Sequence, residues 1–433
     1  MTSSIRTAAP AARLRKSGQR TATYAARTFF LGLFALAFLL TLLPAAGNVG
    51  AQTGAPLIIS EFRVRGPNGA NDEFVEIYNN SGADHVVSGG GAGYAVVASD
   101  GVVRCVIPNG TVIPARGHFL CTNSVGYSLA SYPAGDGTTA TGDATYTADI
   151  PDNHGIALFN TATVANFSTA TRLDAAGFTT TTPSVYVEGT GLPALRHLLT
   201  DHSFRRDDCG KGGSTTALGV CPTGGVPKDT NDNAADFYFV DTNGSNAGAG
   251  QRLGAPGPQN LSSPIQRNSG FPILLLDASV AASSPPNRVR DFTSDPLNSS
   301  TFGTLTIRRR VVNATGAPVT RLRFLVVDQT TFPAAANFAD LRARTSGPSV
   351  IGGVNDAATC SPSAAPCTVT VEGTTLEEPP TQANGGAFGS TYSAGTVTLS
   401  APLAPGASIS LQFLLGIEQT GAFKFFINVE ALP

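Results

Sequence analysis

The chain has no tryptophan, and its single methionine is Met1. Only 13% of its 433 residues are charged. Past the N-terminal segment, the densest basic stretches are Arg308-Arg309-Arg310 and Arg205-Arg206, and the second runs straight into Asp207-Asp208. Phosphate backbones are held by clustered Lys and Arg, so nucleic acid is excluded as a partner. Neither G-x-S-x-G nor G-x-x-x-x-G-K-[ST] occurs, which removes a nucleophile elbow and a phosphate-binding loop. The five histidines (His85, His118, His154, His197, His202) are scattered, and His197 and His202 fit neither H-E-x-x-H nor a helical i, i+4 pair. The GKGG at 210–213 lacks a strand-then-helix setting and reads as a loop. No long amphipathic helical pattern follows residue 51. No catalytic residue is therefore assigned, and the chain is not expected to be an enzyme.

What is present is turn chemistry and alternation. There are 48 Gly and 29 Pro, and short apolar-polar runs recur between Gly, Asn, Asp and Pro clusters, the pattern of many short strands. Between Leu57 and Asp241 the runs include LIISEFRV, FVEIY, GYAVVAS, VVRCVI, HFLCTN, GIALFN and DFYFVD. After GAPGPQNLSSPIQRNSG (254–270) they resume with FPILLLDASV, TLTIRRRVVN, TRLRFLVVD, CTVTVEG, GTVTLS, SISLQFLLGIEQ and AFKFFINVE. In the last, Phe423, Phe425, Ile427 and Val429 share one face, with Lys424, Asn428 and Glu430 on the other. Leu411, Phe413, Leu415 and Ile417 form a matching row, and Glu418–Gly421 suits a hairpin turn between them. The expected fold class is all-β, with two antiparallel β-sandwich domains. The expected division is a signal peptide at 1–51, a first sandwich at 52–261, a Pro/Gly/Ser linker at 262–270 and a second sandwich at 271–433.

The N-terminal reading rests on six basic residues from Arg6 to Arg27, an apolar stretch from Phe29 to Leu43, and small residues ending at Ala51. The apolar stretch is shorter than the roughly 20 residues that span a bilayer, so cleavage and export are expected, a retained anchor being the alternative. No transmembrane span is expected after removal. Removal leaves 22 basic against 30 acidic side chains, a net charge of −8. All six cysteines lie beyond the cut. An even count in an exported chain implies disulfides, and closing local loops pairs Cys105 with Cys121, Cys209 with Cys221 and Cys360 with Cys367. None of these spacings suits structural zinc.

Residues 59–82, ISEFRVRGPNGANDEFVEIYNNSG, resemble the start of a bacterial lamin-tail domain. The resemblance continues through DNHGIALFNTA, RLDAAGF, KDTNDNAADFYFVD and GAPGPQN, covering about 57–260. The second half is similar to a β-rich module of secreted bacterial proteins, in RRRVVNATGAPVTRLRF, LEEPP and the closing APLAPGASISLQFLLGIEQTGAFKFFINVEALP. The first resemblance implies an immunoglobulin-like sandwich that serves as an accessory module, and it carries over no catalytic residue.

Two acidic groups remain. Glu61 and Glu76 fall opposite their apolar neighbours, which places them outward as cross-strand neighbours, with Arg63 and Arg65 as compensating cations on a solvated face. Asp229, Asn231 and Asn233 match positions one, three and five of a calcium loop, with Asp236 nearby, but Ala234 and Val240 stand where such a loop needs Gly and Glu. They remain calcium candidates beside a reading as capped turns; no other cofactor is expected. The functional expectation is a secreted or cell-surface interaction module whose partner is a protein or glycan of the envelope. The alternatives are an extracellular, metal-dependent hydrolase and a calcium-stabilised adhesin.

Overall fold

Strands dominate, and almost all pair antiparallel. The computed structural model describes residues 55–433 apart from 197, 209–217, 221–223, 246, 251, 378, 380–384 and 395–398. The signal segment 1–51, the Cys209–Cys221 pair, GKGG, His197 and most of GTVTLS lie outside the described residues.

The first half is a sandwich. One sheet orders its strands Phe237–Asp241, His202–Arg206, Leu57–Arg63, Phe74–Asn79, His118–Asn123 and Ala144–Tyr146. The facing sheet runs Arg172–Ala176, Ile156–Phe159, Gly93–Ala98 and Val103–Pro108. Between them lies a core that includes Phe62, Val75, Ile77, Val96, Ile107, Leu158, Phe204 and Phe239. The disulfide Cys105–Cys121 ties one sheet to the other. Sequence alternation puts Ile58, Phe62 and Val64 on one face of the first strand, but the core instead contains Leu57, Ile59, Phe62 and Val64. The register shifts between Ile59 and Glu61. A bulge at Ser60 therefore moves the inward row by one residue, because side-chain direction has a period of two.

The second half repeats the plan. One sheet runs Leu218–Val220, Phe425–Leu432, Arg321–Gln329, Thr391–Ala394 and Thr374–Glu377, with Ile265–Gln266 also pairing to Phe425–Leu432. The other runs Ile273–Leu275, Thr304–Val312, Ser408–Gln419 and Asp340–Arg344, with Arg288–Asp291 pairing to Thr304–Val312. Phe324, Leu341, Tyr392, Phe413, Phe425 and Ile427 belong to the core between them. A second disulfide joins Cys360 to Cys367.

The expected hairpin around Glu418–Gly421 does not form. Ser408–Gln419 and Phe425–Leu432 lie in different sheets. Their apolar rows meet across the core, with the Phe413 and Phe425 rings 5.6 Å apart between centroids. Two strands with strong apolar faces bury more surface face to face than side by side.

Gly54–Pro433 forms one compact unit, because the two sandwiches stack back to back. The outer face of the Leu57–Arg63 sheet meets the outer face of the Phe425–Leu432 sheet. The turn-rich segment 253–260 is buried along its whole length and lends backbone donors to this layer.

Candidate functional site

Three places concentrate chemistry. The first is the layer between the sandwiches. Glu61 and Glu76 are direct cross-strand neighbours as expected, but they do not face water: they are 1% and 4% exposed. The expectation of a solvated face fails because a second sandwich covers it. Nor do Arg63 and Arg65 neutralise them. Arg63 pairs with Asp72 and Asp201, and Arg65 with Asp152. Glu61 instead accepts from Arg205 at 2.8 Å, Ser203 at 2.5 Å and the Gly257 amide at 3.0 Å. Glu76 accepts from Ser60 at 2.5 Å and the Gln259 amide at 2.6 Å.

From the second sandwich, Arg323 lies 2.7 Å from Glu377 and 3.8 Å from Glu430, and Gln259 bridges to Glu430 at 3.0 Å. Burial and the adjacent Glu61 push the Glu76 carboxyl up to about 8. Burial and the nearby arginines push His118 down to about 3. The 3.9 Å Glu76–His118 contact is therefore between neutral groups at mildly acidic pH. The cavity beside them, lined by Glu76, Tyr78, His118, Arg205, Asp208 and Glu430, measures about 30 Å³, room for a water or two. That volume is well below the range of small-ligand sites.

The second place is the 229–236 loop, which holds the four calcium candidates. Asn233 accepts from the Gly177 and Glu188 amides and donates to the Ala175 carbonyl, so its side chain ties loop to strand. Asp236 accepts from the Thr230 amide and hydroxyl. Asn231 sits in the left-handed region at φ 57°, a conformation Asn tolerates. Asp229 meets other carboxylates: its oxygen, one from Asp174 and one from Glu188 lie within 4.8 Å of one another, and Asp236 lies 3.4 Å from the Arg206 nitrogen that Asp229 also approaches. Sequence reasoning missed Asp174 and Glu188, which are far from the loop in the chain. That trio has ligand chemistry for a hard cation, but a guanidinium already serves it. Arg206 donates to both Asp174 oxygens, at 2.6 and 2.7 Å, and lies 3.5 Å from Asp229. Arg172 lies 3.1 Å from Glu188, whose carboxyl is pushed up to about 9 by burial and by Asp174.

The third place is open. In the second sandwich a groove of about 530 Å³ runs over Leu305, Leu341 and Ile417, walled by Thr420–Phe423 on one side and by Ser283, Pro285 and the Arg288–Asp291 strand on the other. Leu305, Leu341 and Ile417 belong to one sheet and to the core of this sandwich. Phe292, whose ring packs against the lining Arg290, is 79% exposed, and Leu297 (98%) and Phe302 (49%) follow it in the same turn-rich stretch. Exposed apolar side chains and a concave apolar surface are the chemistry from which binding faces are built. The sequence held one clue: RVRDF and DPLNSSTF place aromatics and Leu in a turn-rich stretch with no strand partner for them.

No family model and no curated protein matches the chain. Among solved structures it is similar to a DUF4876 family protein from Bacteroides thetaiotaomicron, at 14% identity and a TM-score of 0.31, covering 48% of this chain and 75% of that one.

Proposed function

We propose that this protein is an exported, non-catalytic interaction module of the cell surface or envelope, its first half a sandwich of the lamin-tail type. The observation that carries the reading is a contrast. The clusters of titratable groups are neutralised internally and closed, whereas the apolar groove and its flanking Phe292, Leu297 and Phe302 are open to solvent. A hydrolase needs convergent titratable residues at a substrate-sized opening, and the opening beside Glu76 and His118 is far smaller. Disulfides suit an oxidising compartment, and among the described residues no helix is long and apolar enough to cross a membrane. The partner class that fits is a protein or glycan of the envelope.

The test is co-sedimentation of the purified chain with cell envelopes. Saturable pelleting, reduced in a Phe292→Ser/Leu297→Ser variant, supports a surface module working through this face. Full retention in the supernatant overturns it and brings the hydrolase reading forward.

A further inference from the structure

The groove's charges are all of one sign. Arg288 and Arg290 are its only charged lining residues. They point to the same side of their strand, roughly 7 Å apart, over Ile307 and Leu305 of the neighbouring strand. The Arg288 guanidinium lies 5.8 Å from the Phe423 ring centroid. Among the described residues it has no hydrogen-bond acceptor and no carboxylate. Arg290 is fixed differently: it donates to the carbonyls of Asp291, Phe302 and Thr304 and packs 4.7 Å from the Phe292 centroid.

Behind them Arg309 is 8% exposed and donates to the carbonyls of Asn287 and Arg308. Burial and Arg288 hold its guanidinium below the usual range. No carboxylate lies within ion-pair distance of any of these three among the described residues. The adjacent acid, Asp291, is exposed and accepts from the Thr293 amide.

Arg63, Arg205, Arg206 and Arg323 are each buried against a carboxylate. At the groove, by contrast, Arg288 and Arg290 line an apolar trough with no carboxylate within ion-pair distance among the described residues, and the nearest acidic charge acting on Arg290 is the exposed Asp291. Like charges held together are costly unless an anion joins them, and guanidinium groups suit a carboxylate's geometry. The volume falls in the range of small-ligand sites. A glycan would want several hydrogen-bonding side chains, and besides the arginines the lining offers only the hydroxyls of Ser283 and Thr420.

We propose that this groove binds a single-chain amphiphile with an anionic head, a fatty-acid-like carboxylate taken from solution. Its chain lies along Leu305, Leu341 and Ile417, and its carboxylate sits between Arg288 and Arg290. This assignment rests on the reading of the groove as a binding face and goes beyond it, adding a small-molecule ligand distinct from the envelope partner.

The experiment is calorimetric titration of the purified chain with decanoate, decanol and decyltrimethylammonium, which share a tail and differ in head charge. Decanoate is expected to bind one per chain, roughly tenfold or more tighter than either of the others. Arg288→Gln should remove that advantage and leave decanol unchanged. Thr420→Trp, at an exposed wall position, should weaken all three while keeping the wild-type melting temperature.

Equal affinity for the three heads would overturn anion recognition. Unchanged binding by Thr420→Trp would place the ligand elsewhere, the apolar 29–43 stretch included, since both proteins carry it. Binding to phosphatidylglycerol vesicles without binding of decanoate would replace the free acid by a membrane surface and also overturn the proposal. If envelopes still pellet the protein while decanoate fails, the ligand class falls and the surface-module reading stands.

Discussion

At Glu76 the cross-strand partner is another carboxylate and the surroundings are dry, so one proton is retained far above the ordinary range. Glu73, pushed up to about 8 by burial, and Glu188, up to about 9, behave alike. In the unfolded chain these carboxyls titrate near 4.5. The folded state therefore binds the protons more tightly, and that stabilisation is full below pH 4.5 and is lost as pH rises through 8 to 9. His118, down to about 3, and His202, down to about 4, act in the opposite sense. Their contribution is present above 6.5 and is lost as pH falls through those values. Melting temperature is thus expected to peak between about pH 4.5 and 6.5 and to decline toward pH 9. Glu76→Gln should flatten the alkaline limb; an unaltered slope would show that Glu76 is ionised in the folded state. Arg206 supports a second residue-scale expectation. Because its guanidinium already pairs with Asp174 and lies within 3.5 Å of Asp229, millimolar calcium should leave the melting temperature as it is in chelator. A calcium-dependent rise would mean that a cation displaces the arginine, since a ligand bound to the native state alone stabilises it.

At the scale of elements, two devices decide how strands meet. The bulge at Ser60 sets which side chains of Leu57–Arg63 face the core, and thereby delivers Glu61 to the layer between the sandwiches. The Cys105–Cys121 bridge joins Val103–Pro108 to His118–Asn123 across the first core and closes a loop with a sequence separation of 16. Replacing both cysteines by Ala is expected to cost about 3 kcal/mol, chiefly by freeing the unfolded chain. Urea unfolding under matched conditions measures it, and a loss well below 1 kcal/mol would mean that the unfolded chain is already restrained there.

On the scale of the whole molecule, the buried ionic layer couples the two halves. Glu61 and Glu76 take amides from the 257–259 stretch, Glu430 takes Gln259, and Tyr132 donates to the Glu377 carbonyl at 3.0 Å. Separating the sandwiches would break the Gln259 bond to Glu430 and the Arg323 bonds to the Ala134 and Pro133 carbonyls, and would expose the side chains packed around them. The chain is expected to unfold in one transition, with equal calorimetric and van't Hoff enthalpies. Two resolved transitions would show that each half is stable alone.

Much of this was legible in the chain. Period-two rows such as Phe425, Ile427 and Val429 fixed the fold class, because alternation and turn residues act locally. An even cysteine count paired into local loops gave the two disulfides seen, since short loops close most readily. What a strand's polar face looks toward was not legible. Glu61 and Glu76 read as solvent-facing, and Lys424, Asn428 and Glu430 likewise read as a polar outer row, yet all are buried. Their partners come from the other half of the chain, and no local pattern encodes a contact between residues as distant as Glu61 and Gly257. The same limit hid the groove: Arg288, Leu305, Leu341, Ile417 and Phe423 are unremarkable singly. The sequence by itself determined the all-β class and most of the strands, because alternation and turn residues follow from nearest-neighbour chemistry, but not which strands pair. Only the tertiary structure decided which carboxylates were neutralised and which arginines were left without an anion, because charge pairing and burial depend on what long-range packing brings together.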